Sequence, residues 1–116
     1  MKIDKIKDMK GGWFVGDFEP TAYKTNQFEV SYKFHYKGEK YETHYHTLVT
    51  EINCLIEGSM VIQGQHLENG DIFTLYPYEI ADPVFLTDCK IICVKTPSSN
   101  DKISFEIKNE TNSTQG

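Results

Sequence analysis

Two histidines and one acid set the chemical question in this chain. His44 and His46 flank Tyr45, and Glu51 follows after the short connection 47–50. Side chains two apart on a β-strand project from the same face, so the two imidazoles can converge on one ion. Glu51 stands at an odd offset from them and cannot share that face on a continuous strand. It must come from the next strand. A carboxylate facing a His-x-His pair from a neighbouring strand makes a two-His, one-carboxylate site, with positions left open for water or substrate.

The rest of the sequence supplies strands to carry such a site. Phe28, Val30, Tyr32, Phe34 and Tyr36 alternate with Glu29, Ser31, Lys33, His35 and Lys37. This period of two is that of a strand with one buried face, and the apolar set is expected to be the buried one. Further strands are expected at 41–46, 51–56, 59–63, 71–75, 84–86, 90–95 and 103–107. The residues between them, among them Gly58, Gly64-Gln65, Asn69-Gly70, Pro77, Thr87-Asp88 and Pro97-Ser98-Ser99-Asn100, favour turns. Short strands at these intervals indicate an all-β antiparallel sandwich or barrel. Residues 1–12 read as an N-terminal arm that ends at Gly11-Gly12, residues 13–109 as the barrel domain, and residues 110–116 as a flexible polar tail.

Composition narrows the function classes. With 116 residues there is room for one core, and not for separate cofactor and substrate lobes. The net charge is −5, and all 12 basic residues are Lys. Arg supplies the planar fork that grips phosphates and guanine edges, so an acidic chain without Arg is a poor nucleic-acid binder. No stretch approaches the roughly 20 apolar residues of a membrane span, and residues 1–10 are too charged for a signal peptide. A cytoplasmic protein with no membrane and no nucleic-acid partner is expected. Cys54, Cys89 and Cys93 lack Cys-x-x-Cys spacing and sit among apolar residues, as buried free thiols do.

The spacing Gly38-x5-His44-x-His46-x4-Glu51-x6-Gly58 resembles, position for position, the first motif of the cupin superfamily. Gly70, Asp71 and the segment 77–82 resemble its second motif, with Glu79 in place of the usual Gly, Leu86 in place of Asn, and Asp82 in place of the final His. The resemblance implies an antiparallel jelly-roll barrel, a cupin-like double-stranded β-helix, with motifs covering about residues 38–86. It implies a metal site at His44, His46, Glu51 and Asp82. Such mixed nitrogen and oxygen donors suit a divalent transition metal, Fe, Mn, Ni or Zn. Two carboxylates turned into one apolar barrel without a cation would repel each other and lose hydration, a penalty that a divalent ion removes. The resemblance also implies a homodimer, for which the Trp13 segment pairing across two chains is one route to covering open sheet edges.

Other residues read as supporting structure. His35, on the polar side of its strand, and His66, beside a turn, are expected to be solvated. Tyr41, Tyr76 and Tyr78 are candidates for a hydroxyl acid, with aromatic packing as the alternative. Cys89, Ile91 and Cys93 share a face and are expected in the core. Asn53 shares a face with Glu51, where a buried amide needs partners. The leading function is a mononuclear metal-dependent enzyme, an oxygenase, isomerase or lyase, acting on a small polar molecule. The alternatives are a non-catalytic cupin that binds or senses a small ligand, and a metal-free sugar isomerase or epimerase with a His base and a Tyr acid.

Overall fold

A computed structural model describes residues 1–105. The 110–116 tail, the barrel end at 109 and the last two residues of the strand expected at 103–107 lie outside the described residues. Among the described residues, eleven strands follow two single 3-10 turns: β1 (Trp13–Gly16), β2 (Tyr23–Lys24), β3 (Glu29–His35), β4 (Thr43–His46), β5 (Thr50–Glu57), β6 (Ser59–Ile62), β7 (Gln65–Glu68), β8 (Ile72–Leu75), β9 (Val84–Phe85), β10 (Cys89–Thr96) and β11 (Lys102–Phe105). They form a six-stranded sheet in the order β2-β1-β3-β10-β5-β8, a three-stranded sheet β7-β6-β9 and a pair β11-β4. An isolated bridge from His44 to Ala81 ties β4 to the segment before β9. The chain is all-β, as expected, although among the described residues the sheets are separate layers and their hydrogen bonding does not run round a closed barrel.

The core lies between the layers. Leu55 of β5, Leu75 of β8 and Cys89 and Ile91 of β10 pack against Met60 and Ile62 of β6, Ala81 and Phe85. Burial of each large side chain there stabilises the fold by roughly 1.5–3 kcal/mol. Cys89 and Cys93 are buried, in agreement with the sequence, whereas Cys54 points to the other side of β5 and is only half-buried.

Strand β3 turns the opposite way from the sequence expectation. Glu29, Ser31 and His35 are buried, while Phe34 is 42% exposed and Tyr36, just past the strand, is 67% exposed. Period-two alternation separates two faces but does not say which one looks inward. Here the inward face lines a polar cavity. Glu29 meets Lys95 at 3.3 Å, and the His35 ring stacks on Phe85 at 4.3 Å while its Nδ1 meets Glu39 at 2.7 Å. His35 is therefore a buried, paired residue and not the solvated one expected. His66 is exposed, as expected, with Nε2 2.8 Å from the Ser59 hydroxyl.

Two further departures come from turns and edges. Strand β7, unexpected from its polar sequence, is formed because Gln63 and Gly64 both take positive φ, at 49° and 71°, and make a two-residue hairpin that pairs Ile62 with Gln65. The Trp13 segment pairs inside its own chain, antiparallel to β3 and parallel to β2, and so is not an edge left open for a second copy.

Gly58 links β5 to β6 with φ at 127°, and a Cβ there would lie 2.6 Å from both the Asp88 carbonyl oxygen and Cys89 Sγ. Gly38 also has positive φ, at 71°, but open space around it. Gly58→Ala is expected to lower stability by about 3 kcal/mol in a denaturant titration, and Gly38→Ala by only about 1 kcal/mol, since the first adds a clash to the conformational cost.

Candidate metal centre

Strand β4 buries both histidines on one side. Its residues alternate between half-buried Thr43 and Tyr45 and buried His44 and His46. Glu51 stands near the start of β5, directly opposite Leu75 of β8 and Lys95 of β10, and faces the same interior. Among the described residues, His44, His46 and Glu51 form a metal-capable group whose ligand atoms all lie within 4.8 Å of one another. The structure thus brings together the three residues that strand parity and the offset of Glu51 set facing one another.

Each donor is held by a neighbour. The Nδ1 of His44 lies 3.2 Å from the Glu42 carbonyl oxygen. A carbonyl only accepts, so Nδ1 carries the proton and Nε2 keeps its lone pair for the cavity. His46 sits between two carboxylates, with Nε2 3.0 Å from Glu51 Oε2 and Nδ1 2.8 Å from Asp101 Oδ1. The remaining oxygen of Glu51 accepts a bond of 3.1 Å from the Asn53 amide. The buried Asn53 thus faces the site and orients the carboxylate.

The electrostatics follow from these contacts. Burial pulls the His46 pKa down, but the bonds to Glu51 and Asp101 outweigh it and leave it raised. Burial pushes Glu51 up, and the bonds from His46 and Asn53 bring it below the usual carboxylate value. His44, mainly through burial, is lowered and stays neutral. Burial, followed by the nearby charge of Glu51, pushes the Tyr41 phenol up to about 12. The Cys93 thiol is raised chiefly by burial and next by Glu51, so it remains protonated.

Asp82 is not brought into this group. Its Oδ1 accepts a 2.7 Å bond from the Gln63 backbone N–H, which fixes it on the β6–β7 turn. The residue that instead meets β4 is Ala81, paired with His44 and 3% exposed. One position along an extended chain reverses the facing of a side chain, so the expected fourth donor looks away and a small methyl group looks in. Tyr76 and Tyr78 are 62% and 67% exposed and do not supply a hydroxyl to the interior, whereas Tyr41 lines it, 5.7 Å from the His44 ring.

Asp101 was not legible from the sequence. It precedes β11, whose Lys102 pairs with His46, and its second oxygen accepts the backbone N–H groups of Leu48 and Val49 at 2.7 and 2.9 Å. Despite the upward push of burial, these donors and His46 hold its carboxyl down at about 2. Nothing local marks it, since its partners lie more than 50 residues away.

Two histidine nitrogens and one carboxylate oxygen, converging and each oriented from behind, fit a divalent transition ion. The surrounding cavity measures about 670 Å³ and is lined near the site by Tyr41, Asn53, Cys93, Lys33, Lys95 and Lys102.

Comparison with solved structures places this architecture. A double-stranded β-helix protein from Klebsiella pneumoniae is similar at a TM-score of 0.62 and 20% identity, over 72% of this chain and 78% of its own. A cupin protein from Bacteroides fragilis is similar at a TM-score of 0.54 and 18% identity, over 76% and 77% of the two chains. The chain has the cupin fold. The Streptomyces nucleoside dehydratase Pac13 is also similar, at a TM-score of 0.61 and 11% identity over 75% of each chain. No family model matches the sequence, and no curated protein does. At these identities the likeness speaks for the cupin fold alone, and the chemistry rests on the site.

Asp101→Asn keeps the shape but replaces one accepting oxygen with an NH2 group that meets N–H donors. It is expected to lower stability by roughly 1–3 kcal/mol in chemical denaturation and to weaken Zn(II) affinity about 10- to 100-fold by calorimetry.

Proposed function

We propose that this cupin is a mononuclear metal-dependent enzyme acting on a small polar molecule, with His44, His46 and Glu51 as the ligands. The observation that carries this is the convergence of their donor atoms within 4.8 Å on the wall of a 670 Å³ cavity. A bound Fe, Mn, Ni or Zn ion would supply Lewis-acid polarisation of a ligand oxygen. The chain's own residues supply the rest. Asp101 and Asn53 fix the orientation of His46 and Glu51, so little reorganisation is needed when a ligand arrives. Tyr41, kept as a neutral phenol beside His44, is placed to give a proton to the ligand or share one with it. Of the reactions open to such a site, this favours isomerase or lyase chemistry over oxygenation.

Elemental analysis of purified protein tests the reading. Near-stoichiometric transition metal is expected in the wild type and its loss in His46→Ala. Metal content that is low and indifferent to the substitution would overturn it. Turnover that survives a chelator would favour the metal-free isomerase, and ligand-dependent stabilisation without turnover the sensor.

No helix of the described residues is long and apolar enough to cross a membrane; the cytoplasmic assignment is part of this proposal. So is a homodimer, for which the outer face of the six-stranded sheet is the support. Tyr32, Ile92, Cys54 and Ile72 are in register across four adjacent strands, and Ile72 is 68% exposed. Unpaired apolar rows of this kind favour a cover. Light scattering at micromolar concentration is expected to give a dimer in the wild type and a monomer in Ile72→Glu.

A further inference from the structure

Four lysines line the cavity, Lys10, Lys33, Lys95 and Lys102, and the metal reading gives none of them a role; Lys10 lies exposed before β1. Lys33 of β3 and Lys102 of β11 line the same wall space as His44, His46 and Glu51. Lys95 lines it too, but its ammonium is committed to Glu29 and to the Ser99 carbonyl oxygen, each at 3.3 Å. Among the described residues, neither Lys33 nor Lys102 has a carboxylate within ion-pair distance. Each faces a ring instead, Lys33 at 5.0 Å from the Trp13 centroid and Lys102 at 5.6 Å from that of Tyr41.

The acids of the lining do not fill the gap. Glu29 is taken by Lys95 and by the Ser98 hydroxyl, Glu51 by His46 and Asn53, and Glu19 by Lys24 at 3.6 Å, while Asp17 lies exposed. Lys33 is half-buried. Burial, together with the like charges of Lys102 and Lys95, lowers its pKa despite the opposing pull of Cys93 and Glu51. An ammonium taken part-way out of water against an aromatic face regains only a fraction of its hydration, and an anion in the cavity would restore the balance.

We propose that Lys33 and Lys102 form an anion-binding wall of this cavity and that its ligand is a small carboxylate. The proposal rests on the reading of this cavity as the ligand site. A carboxylate held there would present its remaining polar groups towards His44 and Tyr41. Carboxylate is favoured over phosphate because the chain has no Arg fork, and among the described residues the helices are single three-residue turns with no N-terminus to cradle a dianion.

Trp13 is the only tryptophan and lines the same cavity between Lys33 and Lys95, so its emission reports occupancy. Chelator-treated protein at low ionic strength would be titrated with glycolate, its neutral analogue glycolamide, and inorganic phosphate. Glycolate is expected to change the emission saturably and to bind more weakly as salt is added. Its half-saturation concentration should rise at least ~10-fold in Lys33→Met and in Lys102→Met. Lys33→Arg should retain binding within a few-fold, which separates loss of charge from loss of fold. An equal response to glycolamide, tighter binding of phosphate, no saturable change, or indifference to both Met substitutions would overturn the proposal. Metal content of the same preparations, measured before the chelator is added, separates the two readings. A metal-free wild type that binds glycolate through the lysines removes the metal assignment alone, and a metal-loaded wild type whose glycolate response ignores them removes this proposal alone.

Discussion

The imidazole of His46, clasped between Glu51 and Asp101, is the contact on which the site depends. Each carboxylate comes from a different part of the fold, Glu51 from β5 in the large sheet and Asp101 from the segment leading into β11. Both ring nitrogens are therefore directed, and one of the two partners also closes the β4–β5 turn through the Leu48 and Val49 amides. A buried pair of carboxylates would ordinarily repel, but the ring between them, at 6% exposure, donates an N–H to each and carries the balancing positive charge. The turn that lets Glu51 reach the face of the histidines is thus fixed by the same group that orients one of them.

How much of this was legible in the sequence depends on which contacts are local. His44 and His46 could be paired by strand parity, and Glu51 could be assigned to the next strand by its odd offset, because both arguments use only the two-residue period. Gly58 could be singled out by its place in the cupin-like motif, and the structure supplies the reason, since a Cβ there would meet the Asp88 carbonyl oxygen and Cys89 Sγ. Strand β3 shows where parity stops. It sorted Phe34 from His35 without saying which of the two faces the interior, and the hydrophobic rule chose wrongly because the interior at that end is polar. Asp82 failed for a related reason. The segment after Pro77 was assigned by motif alignment, and a facing set by a single residue step cannot survive a motif whose Gly and final His are both replaced. Asp101 carried no local signal at all.

The polar and apolar contents of the interior are separated along the strands. On β5 the inward residues run from Glu51 and Asn53 at one end to Leu55, and on β10 from Lys95 and Cys93 to Ile91 and Cys89. Paired in register, they stack as layers. Glu51, Lys95 and Glu29 make a charged layer, Asn53, Cys93 and Ser31 a small polar one, and Leu55 with Ile91 begins the apolar core of β5 and β10, with Lys33 of β3 in register beside Ile91. Ser31, whose buried hydroxyl has no partner among the described residues, lies in the middle layer, between charge and oil.

This layering has a consequence for how the protein can change. The side chains that would meet a ligand and those that hold the sheets together belong to successive positions of the same strands, and they meet where Met60, Phe85 and Ile91 of the core also line the cavity. Exchanges at 33, 53 or 93 can reshape what the cavity accepts while the packing around Leu55, Met60 and Phe85 stays as it is. A scaffold partitioned in this way is evolvable, since new specificities can be sampled without each trial endangering the fold.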